Sequence, residues 1–432
     1  MPEQGFKTCS TRRSECGGRS QTGKNQLING AHAASERYEK TTCKVCHGFA
    51  RFCKISSCPY YRNLFTEAVF NKLSSKNVSG PSPPTLLVSE KGYPKVVVGP
   101  AILLVENTSP DFLEKPADWL NHSVSELLRL RISLLFGRTV KPVKTTDKMV
   151  KLLKESAASS KPVDVEAVFS GGYSFNPAFK VRTAPYGPSA KLENMHLVGN
   201  VSVPRKVDSL IHDPDLSATE ALTTLHEGGF DEYYLTRLFS MGLLGTALER
   251  KLVPTEWSIT AVDDILSRKL YEKVRRHRVI SEYRVHSYQA VENVGHVILT
   301  PTPWMYELLE GWLKHVNSSP YSDYEIHKPR TTYAENTGGA YYAVRLSILR
   351  HLHQRKEQGG AIVFFEIHPR WIPLGVWRFR EIIREALKRP GEKFQTIDEA
   401  IEHVSKKLDI PINKYIAASK LIPFIRHQQK LG

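Results

Sequence analysis

Four of the six cysteines in this 432-residue chain lie within sixteen residues, at Cys43, Cys46, Cys53 and Cys58. Thiolates this close in sequence can surround one tetrahedral ion at a small cost in loop entropy, so the spacing predicts a zinc site. An iron–sulfur cluster also takes four cysteines and is the alternative metal group. A redox dithiol at Cys43 and Cys46, or a set of inert buried thiols, are the alternatives without a metal. Four thiolates leave zinc no open coordination position, so we expect the module to hold shape rather than perform chemistry.

The N-terminal sequence indicates the compartment in which the chain folds. The first thirty residues contain no apolar signal-peptide core, so we expect a cytoplasmic protein in which reducing conditions disfavour disulfides. The most apolar stretch, residues 96–105, has ten residues, whereas a membrane-spanning helix needs about 20. We therefore expect buried strands there and no membrane partner.

The balance of charge points to a polyanionic partner. Sixty Lys and Arg residues face 44 Asp and Glu residues, which gives a formal net charge of +16. Clustered cations gain free energy by releasing the counterions condensed on nucleic acid. A nucleic acid or an anionic membrane face would supply such a partner, and charge alone does not separate DNA from RNA.

Three groups of cations are candidates for contact with phosphate. The first is the rim of the cysteine module, and the second is residues 268–284, where Tyr271 and Tyr283 alternate with cations and could support bases by stacking. A solvated helix face or ordinary packing explains each group equally well. The residues assigned to contact nucleic acid are Lys44, Arg51, Lys54, Arg275, Arg276 and Arg278. The third group, near Trp371 and Trp377, contains Arg345, Arg350, Arg378, Arg380 and Arg384.

The chain divides into four parts by composition and pattern. Residues 1–40 have almost no apolar periodicity and are expected to form a flexible basic tail. Residues 41–62 form the zinc module, and 63–290 and 291–432 form the two parts of a mixed core. Strand-like and helix-like segments do not alternate strictly, so the fold class expected is α+β.

Local patterns predict individual elements within this core. The Gly and Pro turn at 90–94 predicts a hairpin between 85–89 and 95–98, and strands are expected at 163–169, 200–204, 297–300 and 361–367. Helices are expected at 125–136, through most of 218–277, at 304–312 and at 379–387. A last helix begins after Thr396, whose spacing to Glu399 is that of a capping box.

No catalytic motif is present in the sequence. Asp263, Asp264, Glu366 and His368 could bind a metal for phosphodiester cleavage, but no spacing connects them. A carboxylate that caps a helix or pairs with an arginine explains each acidic residue equally well. Whether the protein is an enzyme therefore stays open, with a non-enzymatic role favoured.

Several segments together resemble the archaeal Nre family of DNA-repair proteins. The most specific is 250–264, RKLVPTEWSITAVDD, which lies between two other matching groups of segments. These are the cysteine module ending at Cys58, 92–100, 159–166, 339–345 and 373–377. The resemblance implies a role in the response to DNA damage, with the repair complex reached through the replication sliding clamp.

Family members often carry a C-terminal clamp-binding peptide, in which aromatic anchors follow a glutamine and an aliphatic residue. Gln428 and Leu431 match the first half of this peptide, and the aromatic anchors that usually carry most of the binding energy are missing after Leu431. The resulting hypothesis is a DNA-repair protein that binds DNA or recruits other factors. A metal-dependent nuclease or nucleotide-processing enzyme is the alternative.

Overall fold

The computed structural model describes residues 73, 75–83, 87–105, 108–174, 187–313, 319–368 and 375–428. The predicted zinc module, the cations Lys44, Arg51 and Lys54, the side chain of Gln428, and Leu431 lie outside these residues, as does Trp371.

The described part combines fifteen strands and eleven α-helices, which confirms the mixed α and β class. The strands are β1 (Asn77–Ser82), β2 (Leu87–Val88), β3 (Lys95–Gly99), β4 (Ala101–Leu103), β5 (Leu134–Pro142), β6 (Val163–Ser174), β7 (Ser189–Val198), β8 (Arg278–Val279), β9 (Tyr283–Ala290), β10 (Asn293–Thr300), β11 (Met305–Trp312), β12 (Tyr321–Ile326), β13 (Glu357–Gln358), β14 (Gly360–Ile367) and β15 (Glu392–Phe394). The helices are α1 (Val124–Ile132), α2 (Lys148–Ala158), α3 (Arg205–His212), α4 (Ala218–Glu227), α5 (Glu232–Ser240), α6 (Thr255–Val274), α7 (Gly339–Arg355), α8 (Trp377–Lys388), α9 (Ile397–Ser405), α10 (Ile412–Ala418) and α11 (Leu421–Gln428).

Seven strands form the first sheet, in the order β1-β6-β7-β5-β3-β2, with β4 paired to β5. The predicted hairpin is present as β2 and β3, and the apolar stretch that begins at Val96 forms β3 and β4. Strand β6 alternates buried and exposed residues along its first half, so one face packs on the core and the other faces solvent.

Six strands form the second sheet, in the order β12-β11-β14-β10-β9-β15. It is covered on both faces. Val297 and Phe365 belong to the core shared with α6, α7 and α8, whereas their neighbours Ile298 and Phe364 pack with α9, α10 and α11. Because both faces are covered, every residue of β14 from Gly360 to Ile367 is buried, and all of them except Glu366 are apolar.

The structure corrects three of the predicted elements. The helix expected at 304–312 is not present. Residues 305–312 form strand β11, in which Glu307 and Glu310 mimic a helical spacing although the strand is buried on both faces. Helix α1 ends at Ile132, and Leu134, Leu135 and Phe136 pair with β4 instead of extending it. Residues 200–204 form no strand; β7 ends at Val198, and Pro204 precedes α3.

The other elements agree with the prediction. The segments 163–169, 297–300 and 361–367 lie in β6, β10 and β14, and 379–387 lies in α8. Helix α9 begins at the capping box formed by Thr396 and Glu399. Strands β9 and β10, on either side of the expected division between 290 and 291, pair with each other in one sheet. Among the described helices, none is long and apolar enough to cross a membrane.

Candidate nucleic-acid interface

The predicted cations Arg275, Arg276 and Arg278 lie together at an exposed corner of the molecule. Helix α6 ends at Val274, and Arg275 closes it by donating its backbone N–H to the carbonyl of Tyr271. The chain then turns into β8, where Arg278 pairs in parallel with Glu357 of β13, directly after α7. The corner is therefore built where the C-terminal ends of α6 and α7 meet. The paired residues Arg278 and Glu357 are 79 residues apart in sequence.

Glu357 is the carboxylate that joins this corner to the second sheet. It accepts a hydrogen bond from Nη1 of Arg284 at 2.8 Å and another from Nε of Arg355 at 2.9 Å. Glu282 accepts from Nε of Arg284 at 3.2 Å. Burial opposes ionisation of Glu357, but Arg355 and Arg284 outweigh it and lower the pKa of this carboxyl group. These ion pairs fix the corner and leave several cations in excess.

Three cations of the corner face solvent without an opposite charge. Arg276, Arg278 and Lys356 are exposed, and within the described residues none of them makes an ion pair. Lys356 has a left-handed backbone, φ 54°, at the end of α7. Unpaired guanidinium and ammonium groups on an exposed surface are the groups that bind phosphate oxygens most readily. We call the corner formed by Arg275, Arg276, Arg278, Arg284, Arg355 and Lys356 the basic corner.

The aromatic residues expected to support bases in this segment are not available for stacking. Tyr271 and Tyr283 are 5% and 2% exposed, and Tyr271 donates its hydroxyl to the carbonyl of His327 at 2.5 Å. Their spacing along the sequence points them inward, one from α6 and one from β9, where they complete the core. The interface is therefore built from cations, with His277 and His353 stacked beside it at 5.6 Å between ring centroids.

The third predicted group of arginines belongs to the interior. Arg345, Arg378 and Arg380 are buried, at 0%, 5% and 2% exposed. Arg380 donates from Nη2 to both oxygens of Asp263, at 2.7 and 2.5 Å. The guanidinium of Arg345 bonds to Asp264 and, at 2.9 Å, to Glu325. Packing therefore explains Arg345, Arg378 and Arg380, which are too buried to contact a nucleic acid. Arg350 and Arg384 are partly exposed and pair with the buried carboxylate of Glu232.

The same ion pairs remove Asp263 and Asp264 from the candidate metal ligands. Asp263 is fully buried, and burial raises its pKa to about 6 although Arg380 opposes the shift. Asp264 is shared between Arg345 and Nε of Arg268, the latter at 2.8 Å. An arginine already occupies the place that a metal ion would take beside each carboxylate.

Glu366 and His368, by contrast, are brought together, and Asp409 joins them. One ligand atom from each of the three residues lies within 4.8 Å of the others. Glu366 accepts the backbone N–H groups of Asp409 and Ile410, at 2.9 and 2.8 Å, and the hydroxyl of Tyr415 at 3.1 Å. Burial raises the pKa of Glu366. The arrangement could hold a divalent cation, and no local pattern marks Asp409 as a partner because it lies 41 residues beyond His368.

These features define a protein with a mixed α+β fold and an exposed basic corner. The archaeal Nre N-terminal family model matches residues 52–318, and the archaeal Nre C-terminal family model matches 325–432. Together they cover most of the chain, which therefore belongs to the archaeal Nre family. Strands from both matched segments form the second sheet, so the two segments share one core.

Three relatives align with most of this chain, and the alignments also cover most of each relative. DNA repair protein NreA of Archaeoglobus fulgidus is 36% identical over 377 residues, 85% of this chain and 94% of the relative. DNA repair protein NreB of the same organism is 32% identical over 387 residues, 88% and 96% of the two chains. DNA repair protein NreA of Haloferax volcanii is 33% identical over 347 residues, 76% and 82%. No solved structure is significantly similar to this chain.

Proposed function

We propose that this protein acts in DNA repair by binding DNA through the basic corner and holding it for other repair factors. The names of the three relatives support the repair role. The single observation that carries the binding proposal is the group of three exposed, unpaired cations, Arg276, Arg278 and Lys356, gathered from segments distant in sequence. Phosphate contacts of this kind give affinity without sequence preference.

Replacing Arg276, Arg278 and Lys356 together with alanine should weaken DNA binding. The three side chains are exposed, so the fold should persist. At 100 mM salt we expect the affinity for a duplex or a single strand to fall roughly 10- to 100-fold, because about three phosphates no longer pair with a cation. Fluorescence anisotropy with labelled oligonucleotides measures the change.

The matched control removes the same charge elsewhere. Lys91, Lys148 and Lys151 are exposed; Lys91 lies in the turn between β2 and β3, and the other two lie on α2. Their triple alanine variant should keep affinity within about twofold of the wild type, since it removes only long-range attraction that salt screens. Equal reductions in both variants would assign the binding to net charge and refute the basic corner.

A metal-dependent enzyme is the second candidate, and the group Glu366, His368 and Asp409 favours it. In the described residues, the carboxylates of Glu366 and Asp409 have no arginine among their hydrogen-bond partners. They differ in this from Asp263, Asp264 and Glu325, which pair with arginines. A divalent cation held there could polarise a phosphate or activate water.

Asp409→Asn tests this candidate with little risk to the fold, because the Asp409 side chain is 58% exposed. We expect wild-type protein to bind Mn²⁺ and the variant to bind it at least about 10-fold more weakly, as removal of one of three ligands implies. Electron paramagnetic resonance of free Mn²⁺ gives the affinity, and Asp398→Asn on α9 is the exposed control. Nuclease activity that needs Mn²⁺ and Asp409 would establish the enzyme; wild-type protein that binds no Mn²⁺ would exclude this metal site.

The cysteine module is proposed to hold one structural zinc ion. Metal analysis of the purified chain should give about one zinc per chain, and Cys53→Ser should lose it because three thiolates bind far more weakly than four. A brown protein with visible absorption would replace zinc by an iron–sulfur cluster. The link to the sliding clamp, through Gln428 and Leu431, stays a prediction of the resemblance.

A further inference from the structure

Beside the basic corner, the surface opens into a cleft of about 410 Å³. Two of its lining residues, Arg284 and Arg355, belong to the basic corner. The others come from β9, α7, the end of α8, the turn that follows α8, and β15, and they include His286, Arg389, Gly391 and Lys393. A volume of this size suits a small ligand or one nucleotide.

The cleft carries more positive than negative charge. Its five Lys and Arg residues meet three carboxylates: Glu357 with Arg284 and Arg355, Glu282 with Arg284 and Lys393, and Glu385 with Lys388. Arg389 has no carboxylate among these; its guanidinium lies over the ring of Tyr288, 4.4 Å from the centroid. An anion entering the cleft would find cations on several sides.

His286 supplies a buried polar atom in the lining. The residue is 5% exposed, and its Nδ1 lies 3.0 Å from the carbonyl oxygen of Arg389, which fixes the proton on Nδ1. Nε2 is buried, and within the described residues it has no hydrogen-bond partner. An unsatisfied buried nitrogen costs free energy unless a ligand or water supplies the partner.

Gly391 packs directly against this atom. A Cβ built on Gly391 would lie 2.6 Å from Nε2 of His286 and 2.7 Å from its Cε1. Any other residue at 391 would therefore press on the imidazole edge and force the ring or the backbone to shift. The backbone of Gly391 does not have a positive φ, so the glycine is required here by space and not by conformation.

We infer that this cleft is a phosphate-binding pocket, in which one phosphate group lies against Nε2 of His286 and between Arg389, Arg355 and Lys393. The inference rests on the proposed function, since the cleft would bind one phosphate while the exposed cations of the basic corner contact others. A phosphate oxygen and Nε2 share one proton, supplied by a protonated phosphate or by the imidazolium. The phosphate comes either from a strand terminus or from the backbone within a strand.

The test uses inorganic phosphate and two variants of the full chain. Phosphate should bind the wild type in the millimolar range or tighter, measured by isothermal titration calorimetry in a buffer without phosphate or sulfate. Gly391→Ala, whose Cβ would displace the imidazole of His286, and Arg389→Ala, which removes the cation on Tyr288, should each weaken binding at least about 10-fold. The variant Lys91→Ala/Lys148→Ala/Lys151→Ala should bind phosphate as the wild type does. Wild-type binding that is undetectable, or equal in Gly391→Ala, would overturn the inference.

Oligonucleotides separate the two sources of the phosphate. If a 5′-phosphorylated single strand binds more tightly than the same strand with a 5′-hydroxyl, and Gly391→Ala abolishes the difference, the pocket holds a strand terminus. If both strands bind equally and Gly391→Ala weakens both, the pocket holds a backbone phosphate. If Arg276→Ala/Arg278→Ala/Lys356→Ala binds both DNA and inorganic phosphate as the wild type does, the proposed interface is refuted and the phosphate pocket is retained.

Discussion

Asp263→Ala should destabilise the protein by about 3–5 kcal/mol, the range measured when one partner of a buried ion pair is removed. Asp263 and Glu232 are both 0% exposed, and Arg380 contacts both, with the Nη2 group on Asp263 and Nε 3.6 Å from Glu232. Burial opposes ionisation of Glu232, but Arg384, Arg380 and Arg350 outweigh it and lower the pKa of this carboxyl group. Without Asp263, a buried guanidinium loses the carboxylate that accepts two of its hydrogen bonds.

Urea unfolding followed by circular dichroism measures this destabilisation. Asp263→Asn, which keeps an acceptor but removes the charge, should fall between the wild type and Asp263→Ala. Glu402→Ala serves as the control, because Glu402 and its partner Lys406 are both 70% exposed, and a pair of this kind contributes little. If Asp263→Ala unfolds within about 1 kcal/mol of the wild type, the buried network does not have the role assigned to it.

The second large effect concerns pH and His296. This residue is 2% exposed in β10, its Nδ1 lies 2.8 Å from the hydroxyl of Ser287, and burial lowers its pKa to about 4. The unfolded chain binds a proton at this histidine below about pH 6.5, whereas the folded chain resists it down to about pH 4. The folded state therefore loses stability as the pH falls from about 6.5 to about 4, by on the order of 3 kcal/mol from this group alone.

His296→Asn should remove that share of the pH dependence. The pH dependence of wild-type stability does not isolate His296. Burial also raises the pKa of Asp263 to about 6 and of Glu310 to about 7, and these carboxyl groups change stability with pH in the opposite direction. The measurement is the difference in the free energy of unfolding between variant and wild type, determined with urea at pH 7.5 and again at pH 4.5. His212→Asn, an exposed histidine, is the control. A difference that does not change with pH would show that His296 is not held neutral by burial.

Local features of this fold are easier to predict from the sequence than long-range ones. The hairpin of β2 and β3, the stripe of α8 and the capping box of α9 depend on residues close together, and each lies where it is expected. Strand β11 has the spacing of a helix because its polar residues do not face water. Glu307 instead accepts backbone N–H groups of Lys420 and Leu421 at the start of α11. That interaction spans more than a hundred residues and has no local signature.

The candidate site shows the same division. Arg275, Arg276 and Arg278 form a basic run in the sequence, but Glu357, Arg355 and Lys356 join them only through the pairing of β8 with β13. Conversely, a run of cations does not reveal which arginines are buried. Composition alone groups Arg345 and Arg380 with surface cations, because it cannot show the carboxylates opposite them, which are Asp264, Glu325 and Asp263. The distinction depends on how α6, α7 and α8 pack, which only the folded chain determines.

The salt dependence of DNA binding tests the basic corner most directly. The logarithm of the affinity should fall linearly with the logarithm of the salt concentration, because each phosphate that pairs with a cation releases counterions. The variant Arg276→Ala/Arg278→Ala/Lys356→Ala should have a slope smaller in magnitude by about 2–3, at roughly 0.9 for each phosphate that no longer pairs with a cation. The control with alanine at Lys91, Lys148 and Lys151 should keep the wild-type slope. Equal slopes for all three proteins, or a wild type whose affinity does not respond to salt, would contradict DNA binding at the basic corner.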